Sequence, residues 1–192
     1  MLAHHIIFCA YGFWLPNDPR GSWSSWIGSW ELLKFGPSTK TSARRSLAYT
    51  THNVHQRLAA KNALKFSPVT FTGEQAAVIS YGFRRVFDSI DATIYACSIL
   101  PDHVHLVTAN LPWRTRYFVN QLKGKATESL LAYKRHPFQH LPNPPTPWSR
   151  NSWDVYLDTP EDVYRAIAYV NQNPIKENLP PQRWPFVTQY QS

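Results

Sequence analysis

The first part of the chain passes from a strand-like run through an irregular stretch to a helix-like run. Residues 5–11 (HIIFCAY) are apolar and rich in β-branched side chains, which predicts a buried strand. Residues 72–88 place apolar side chains at helical spacing, with Thr72 as the predicted N-cap. Between them, an insertion of about residues 14–66 begins as a loop rich in Trp, Ser, Gly and Pro. It becomes basic and weakly helical over residues 42–65.

Two consecutive strands are predicted after Asp91. Thr93–Leu100 (TIYACSIL) and His103–Ala109 (HVHLVTA) are short apolar runs separated by the Pro101-Asp102 break. This break is too short for a crossover connection, so we expect the two strands to pair as an antiparallel hairpin.

The last third of the chain predicts two helices with an edge strand between them. Residues 114–135 form an amphipathic helix whose apolar side is Phe118, Leu122, Leu130 and Leu131. After a Pro-rich connector, Ser152–Leu157 is the predicted edge strand. The final helix starts after an N-cap at Thr159 and should end near Asn173, because Pro174 disfavours helix in the residue before it.

The order strand, helix, strand, strand, helix, strand, followed by one more helix, predicts the fold class. It is the order of an α+β, ferredoxin-like split βαβ sandwich with an antiparallel sheet. We expect residues 1–192 to form a single domain of this kind, with the insertion near its N-terminus and the extra helix at its C-terminus.

Composition and charge narrow the class of partner. The chain has 20 Lys and Arg against 12 Asp and Glu, which gives a net charge of +8, and 15% of its residues are aromatic. Such a surface favours a polyanion, above all a nucleic acid. The apolar runs are too short for a membrane span, and the N-terminal run lacks signal-peptide features, so we expect a cytoplasmic protein with buried thiols at Cys9 and Cys97.

His103-Val104-His105 is the sharpest local pattern for chemistry. Residues two apart on a strand face the same side, so both imidazoles should project together while Val104 packs on the other side. Two convergent imidazoles can bind a divalent cation if at least one further ligand joins them. The alternative is a pair of hydrogen-bonded histidines on a solvated face.

Tyr169 and Asn173 are four residues apart on the last predicted helix and therefore share a face. A helical tyrosine usually packs its ring while its hydroxyl reaches the surface. Tyr164 and Tyr133 are helical too, and the spacing alone does not choose among the three.

PDHVHLV (Pro101–Val107) followed by AYVNQNPIKENL (Ala168–Leu179) resembles the single-tyrosine HUH transposases of the simplest bacterial insertion sequences. The chain is most similar to their domesticated relatives, the REP-associated tyrosine transposases. HIIFCAYGFWLPNDPRG, QLKGKAT and WSRNSWDVYL also resemble blocks of that family. The likeness spans most of the chain and is weakest over residues 24–66.

The resemblance implies roles for four residues. His103 and His105 match the metal ligands, Tyr169 matches the nucleophile, and Asn173 falls where the family has a third ligand. The implied cofactor is Mg²⁺ or Mn²⁺, and the implied reaction is cleavage and rejoining of hairpin-flanked single-stranded DNA through a 5′-phosphotyrosine. One departure is that Lys176 is followed by Glu177-Asn178 rather than the family's Ala-Gly turn, which affects the expected helix end.

The partners follow from the same resemblance and from the charge pattern. We expect single-stranded or hairpin DNA, a bacterial nucleoid-associated location, and either a monomer or a homodimer. Predicted phosphate contacts lie on the basic helix and in the insertion: Arg114, Arg116, Lys123, Lys125, Arg44 and Arg45. The insertion's tryptophans could stack unpaired bases or pack the loop into a small core: Trp14, Trp23, Trp26 and Trp30.

Two other functions compete with this interpretation. Two-histidine phosphodiesterases need two separated H-x-[ST] motifs, which this chain lacks. A transposase-derived DNA-binding protein that has lost catalysis is the stronger alternative. All four implied catalytic positions carry competent side chains, which favours an enzyme. Whether it is a mobile transposase or a domesticated repeat-processing nuclease stays open.

Overall fold

A four-stranded antiparallel sheet organises the chain. The computed structural model describes residues 1–13, 15, 30–36 and 53–191. The strands are β1 (Ala3–Ala10), β2 (Ile94–Ile99), β3 (His103–Ala109) and β4 (Trp148–Leu157). They are arranged in the order β2-β3-β1-β4, and every neighbouring pair is antiparallel. The predicted split βαβ fold and the β2–β3 hairpin are therefore confirmed.

Five helices accompany the sheet within the described residues. They are α1 (Trp30–Leu33), α2 (Val54–Asn62), α3 (Gly73–Ile90), α4 (Thr115–Ala132) and α5 (Pro160–Lys176). The first two lie in the stretch predicted as an insertion. The other three are the predicted helices, and Thr72 and Thr159 cap α3 and α5 through capping boxes.

The strand alternation divides the apolar side chains between two cores. On one face of the sheet, Ile6 and Phe8 of β1 pack with Phe83 of α3 and Phe118 of α4 in the main core. On the other face, α5 packs against the sheet in a smaller cluster: Ala3, Ala96, Val107, Leu157, Val163, Ala166 and Val170. Helices α3 and α4 therefore cover one face, and α5 covers the other.

The apolar stripe of α4 is narrower than predicted. Phe118, Leu122 and Leu130 are buried, but Leu131 is 46% exposed. The buried positions recur every four residues, so Leu131 is rotated by about 100° from the stripe because a helix has 3.6 residues per turn. The prediction that Leu131 faces the core was wrong.

Helix α5 continues through Pro174 and ends at Lys176, three residues beyond the predicted end. Its end has the hydrogen bonds of a Schellman motif: Leu179 N donates to Pro174 O at 2.8 Å, and Asn178 N donates to Ile175 O at 3.0 Å. Asn178 adopts a left-handed conformation with φ of 57°. Asparagine tolerates this conformation, so it closes the helix where glycine would otherwise be expected.

The two edges of the sheet differ. β4 is an edge strand, as predicted, but it begins at Trp148 rather than Ser152. The C-terminal segment covers the β2 edge instead of leaving it open. Gln182 exchanges two hydrogen bonds of 2.8 Å with the backbone of Ile99, and Thr188 N donates to Ile94 O at 2.7 Å. These contacts satisfy backbone groups that an open edge would expose.

Two smaller expectations can be compared with the structure. Cys9 and Cys97 are both buried thiols, as predicted. No helix among the residues that the structure describes has the length and apolar character needed to cross a bilayer.

The close approach of α3 and α4 generates a stability prediction. A Cβ at Gly82 would lie 2.5 Å from Lys125 O and 2.6 Å from Ala126 Cα, both backbone atoms. We expect Gly82→Ala to lower the free energy of unfolding by about 3 kcal/mol because neither helix can yield locally. Urea titration measures the change.

Gly124 on the exposed side of α4 is the matched control. A Cβ there meets nothing within 4 Å. Gly124→Ala should raise the free energy of unfolding by about 0.5–1 kcal/mol, because alanine restricts the unfolded chain. Similar effects from the two substitutions would contradict the backbone contact at Gly82.

Candidate active site

The two histidines of β3 lie on the sheet face that α5 covers. The ring centroids of His103 and His105 are 4.7 Å apart, and Val104 between them is fully buried in the main core. His105 is only 4% exposed. The strand alternation expected from the sequence therefore places both imidazoles together.

Each of these imidazoles is held at its Nδ1 atom. His103 Nδ1 lies 2.7 Å from Asp102 Oδ1, and His105 Nδ1 lies 3.0 Å from His5 Nε2, which β1 supplies. A partner at one ring nitrogen sets the tautomer and orientation and directs the other nitrogen to a ligand. Among the described residues, Nε2 of His103 and of His105 makes no hydrogen bond, so these are the nitrogens available for a ligand.

Burial keeps the His5–His105 pair neutral. It lowers the pKa of His5 from 6.5 to about 4, although the Asp154 carboxylate opposes this change. The pKa of His105 falls well below its ordinary value, first through burial and then through the neighbouring His103 and His5. Neutral imidazole is the form that binds a metal.

Helix α5 places Tyr169 on this histidine cluster. The ring centroid of Tyr169 is 5.5 Å from that of His105 and 5.9 Å from that of His5. The two other helical tyrosines contact different rings: Tyr164 lies 5.1 Å from Tyr190, and Tyr133 lies 5.6 Å from Tyr81. The tertiary structure thus separates three tyrosines that helical spacing alone left equivalent, and it favours the one that the resemblance had selected.

The surroundings of the phenol act on its acidity in both directions. Partial burial raises the pKa of Tyr169, the Asn173 amide opposes this rise, and Glu177 adds to it. Tyr169 is 46% exposed overall. Lys176 Nζ lies 4.7 Å from the ring centroid and places a positive charge over the ring.

Asn173, the third ligand that the resemblance implies, lies one helical turn after Tyr169 on α5. It is 6% exposed, and its Nδ2 makes no full hydrogen bond to any described residue. A buried amide with an unsatisfied donor is uncommon, and this N–H group calls for an acceptor such as solvent or a phosphate oxygen rather than for a cation. In the part of the chain that the structure describes, no three His, Cys, Asp or Glu residues form a metal-binding group. A cation here would therefore rest on two imidazoles and the Asn173 amide oxygen.

Arg114 and Arg116, predicted to contact DNA, do not lie on the histidine face. They border a cavity on the opposite side of the sheet, where α4 begins. Arg44 and Arg45 lie outside the described residues. So do Trp14, Trp23, Trp26 and the side chain of Trp30.

Lys123 and Lys125, the other predicted DNA contacts, have different surroundings. Lys123 is 7% exposed, and its Nζ donates to Ser149 O at 2.8 Å and Asn151 O at 3.0 Å. Burial lowers its pKa to about 8. Lys125 instead pairs with Glu128 at 2.8 Å on the surface. The buried Lys123 ammonium holds β4 and is poorly placed for a phosphate contact.

Comparisons with known proteins give structural neighbours only. No protein-family model and no curated protein sequence matches the chain. A REP-associated tyrosine transposase solved with a REP hairpin is similar with a TM-score of 0.48 and 14% identity, over 96% of this chain and 74% of that one. A Deinococcus radiodurans R1 protein proposed to be a transposase has a TM-score of 0.44 and 13% identity, over 93% and 91% of the two chains.

Two residues of the site were missed by the sequence reasoning. His5 reaches His105 from β1, and Asp102 precedes His103 in the hairpin link. The signal for Asp102 was its adjacency to the histidine motif. The signal for His5 was weaker. His4 and His5 are consecutive, and only the strand register decides which of them lies on the same face of the sheet as His105.

The neutral His5–His105 pair predicts a pH dependence of stability in metal-free protein. Between pH 6.5 and about 4, His5 is protonated in the unfolded chain but stays neutral in the folded chain. The free energy of unfolding should therefore fall as pH falls through this window, by up to about 1.4 kcal/mol per pH unit for each proton. Urea titrations at a series of pH values, in chelator, measure this. The free energy of unfolding should fall less steeply with falling pH in His5→Gln, whereas His55→Gln, at an exposed position, should follow the wild type. Parallel curves for all three proteins would contradict the pair's neutral state.

The two lysines of α4 give a second prediction. Lys123→Ala should lower the free energy of unfolding by about 2 kcal/mol, because β4 carbonyls lose a donor and Phe8 loses the ammonium that lies 5.6 Å from its ring centroid. Lys125→Ala should change it by less than about 0.5 kcal/mol, as expected for an exposed ion pair. Thermal or urea unfolding measures both, and equal values would argue against a structural role for Lys123.

Proposed function

We propose that the protein is a metal-dependent single-stranded DNA endonuclease and transposase of the HUH single-tyrosine type. It cleaves and rejoins hairpin-flanked DNA, either in transposition or in processing palindromic repeats. The observation that carries this proposal is the contact of Tyr169 with His105, whose ring centroids are 5.5 Å apart. Of the three helical tyrosines considered, Tyr169 is the one that meets a nucleophile's requirement to lie beside the candidate metal ligands.

His103, His105 and Asn173 are the residues that would hold Mg²⁺ or Mn²⁺. When bound, the ion would supply Lewis-acid polarisation of the scissile phosphate. Two imidazoles suit Mn²⁺ better than Mg²⁺, which prefers oxygen ligands. Asn173 is buried one helical turn after Tyr169, and its amide oxygen is the atom that would bind the cation.

His5 and Asp102 act as positioning residues in this proposal. Each occupies the Nδ1 side of one imidazole, at 3.0 Å for His5 and 2.7 Å for Asp102. When the Nδ1 atom of His103 or His105 carries the proton, its Nε2 lone pair is free for a ligand. The lowered pKa values of His5 and His105 keep these two imidazoles neutral at the pH of the cell.

Tyr169 performs the covalent step. Its Oη attacks the phosphorus, the bond from phosphorus to O3′ breaks, and the O3′ leaves as a hydroxyl while the 5′-phosphate stays on the tyrosine. The phenol gives up a proton to solvent, and O3′ takes one up. Ionising an ordinary phenol at pH 7.5 costs roughly 3.4 kcal/mol. The pKa of Tyr169 is raised further, so the positive charge of Lys176 and of a bound cation must offset more than this. Attack by a second 3′-hydroxyl reverses the step and rejoins the strand without ATP.

One chain supplies the whole candidate site. His105 of β3 contacts both His103 and Tyr169 of α5 within one molecule, and Asn173 follows Tyr169 by one helical turn. We propose that a monomer is sufficient for cleavage. A homodimer is the alternative.

A trapping experiment tests the proposal. Labelled hairpin-bearing single-stranded DNA from the flanks of the gene is incubated with the protein and Mn²⁺ or Mg²⁺, then resolved on a denaturing gel. We expect a covalent protein–DNA band that disappears with chelator. Tyr169→Phe should abolish the band because phenylalanine has no attacking oxygen.

Tyr164→Phe is the matched control, since it removes a hydroxyl from the same helix away from the histidines. Its adduct should equal that of the wild type. If DNA binds but no adduct forms with either metal, the protein is a DNA-binding relative that has lost catalysis. An adduct that persists in Tyr169→Phe would show that another residue is the nucleophile.

A further inference from the structure

A cavity of about 670 Å³ lies on the face of the sheet opposite the histidine pair. Its wall is formed by the start of α4 and by residues of β1 and β4. β1 connects the two faces directly: His5 points to His105, while His4 lines the cavity. The volume is within the range of about 300–1,000 Å³ typical of small-ligand sites.

The charge of the cavity favours an anion. Arg114, Arg116 and Arg150 line it, and none of the three forms an ion pair with a described residue. The one carboxylate in the described lining, Asp154, is already engaged. Its Oδ2 accepts from Thr115 Oγ1 at 2.5 Å, and its Oδ1 lies 3.0 Å from His4 Nδ1. Three guanidinium groups without acidic partners match the bidentate geometry of phosphate oxygens.

The cavity also offers an aromatic surface beside the arginines. Tyr156 of β4 lines it and is 62% exposed, while the His4 ring supports it at a centroid distance of 5.5 Å. An exposed aromatic ring beside unpaired guanidinium groups suits a base attached to a phosphate. His4 is 5% exposed, and no described residue bonds its Nε2, so a polar group is left for the ligand at the inner wall.

We propose that this cavity binds one nucleotide of single-stranded DNA, with its phosphate on the three arginines and its base against Tyr156. The inference rests on the proposed function for the identity of the polymer. β4 is the edge strand of the sheet, so a DNA strand can pass around it from the cavity to the face that carries Tyr169. The cavity is then a second anchoring point for the strand that the active site cleaves.

The salt dependence of DNA binding tests whether the three arginines hold the phosphate. Binding of a short fluorescein-labelled oligothymidylate is followed by anisotropy in chelator, in a Tyr169→Phe background that prevents cleavage. Arg114→Ala with Arg150→Ala should weaken binding by about tenfold or more. It should also reduce the slope of log affinity against log salt by about 0.7, since the cavity holds one phosphate and each phosphate contact to a single strand contributes about 0.7. All three arginines are exposed, so the fold should tolerate the changes.

The control removes equal charge elsewhere. Arg84→Ala with Arg85→Ala acts on exposed residues of α3 that pair with Asp88 and Glu128. It should leave affinity and slope close to those of the parent protein. An equal loss in both double variants would show a diffuse electrostatic effect and would overturn the proposal.

Substitutions at Tyr156 test whether the base stacks on its ring. Tyr156→Ala should weaken binding about tenfold with the salt slope unchanged, and Tyr156→Phe should restore it, because stacking needs the ring and not the hydroxyl. Thymidine 5′-monophosphate should compete better than inorganic phosphate. Equal competition, or full affinity in Tyr156→Ala, would leave an anion site only and would overturn the nucleotide assignment.

The adduct assay separates this inference from the proposed function. Absence of an adduct in the wild type, together with the expected losses at Arg114, Arg150 and Tyr156, would reject cleavage and support the cavity. A normal adduct in the wild type, together with unchanged DNA binding in the cavity variants, would support cleavage and reject the nucleotide site in the cavity. Photocrosslinking of a bromodeoxyuridine-containing strand, mapped by mass spectrometry, should label the peptide that carries Tyr156. A crosslink confined to other peptides counts against the cavity.

Discussion

The position of β1 between β3 and β4 is the constraint on which both candidate sites depend. β1 is hydrogen-bonded on both sides, so its register is tied to two neighbours at once. A slip by one residue would turn every β1 side chain to the other face. In the observed register, Ile6 and Phe8 enter the main core, His5 meets His105, and His4 lines the cavity. The burial that stabilises the sheet therefore also orients the groups proposed to do chemistry.

The second constraint is the packing of α5 on the sheet. Val163 and Val170 bury this helix against Ala3 and Val107, and that apolar contact carries Tyr169 to the histidines. Burial near the site has opposite consequences for its groups. It favours neutral imidazoles, which suits metal binding, and it raises the pKa of the phenol, which opposes ionisation. A site of this kind works only when positive charge is close to the tyrosine.

Much of the fold was predictable because local patterns and caps agree with the tertiary structure. The strand–helix order, the hairpin and both threonine caps were all readable from the chain. The errors occurred where a distant contact overrides a local preference. Helix α5 continues through Pro174, which is buried in the last turn, and Asn178 closes the helix behind it. Lys123 resembles a surface cation in sequence, yet carbonyls of β4 surround its ammonium.

The sequence by itself determined that His103 and His105 share a face, because strand periodicity is a local property. It also determined that Tyr169 and Asn173 share a helix face, and that the chain carries a net charge of +8. Only the tertiary structure decided which tyrosine reaches the histidines and that His5 supports His105. Only it revealed the arginine-lined cavity. His5 and His105 are 100 residues apart, and their contact depends on strand order, register and helix rotation, which local pattern does not encode.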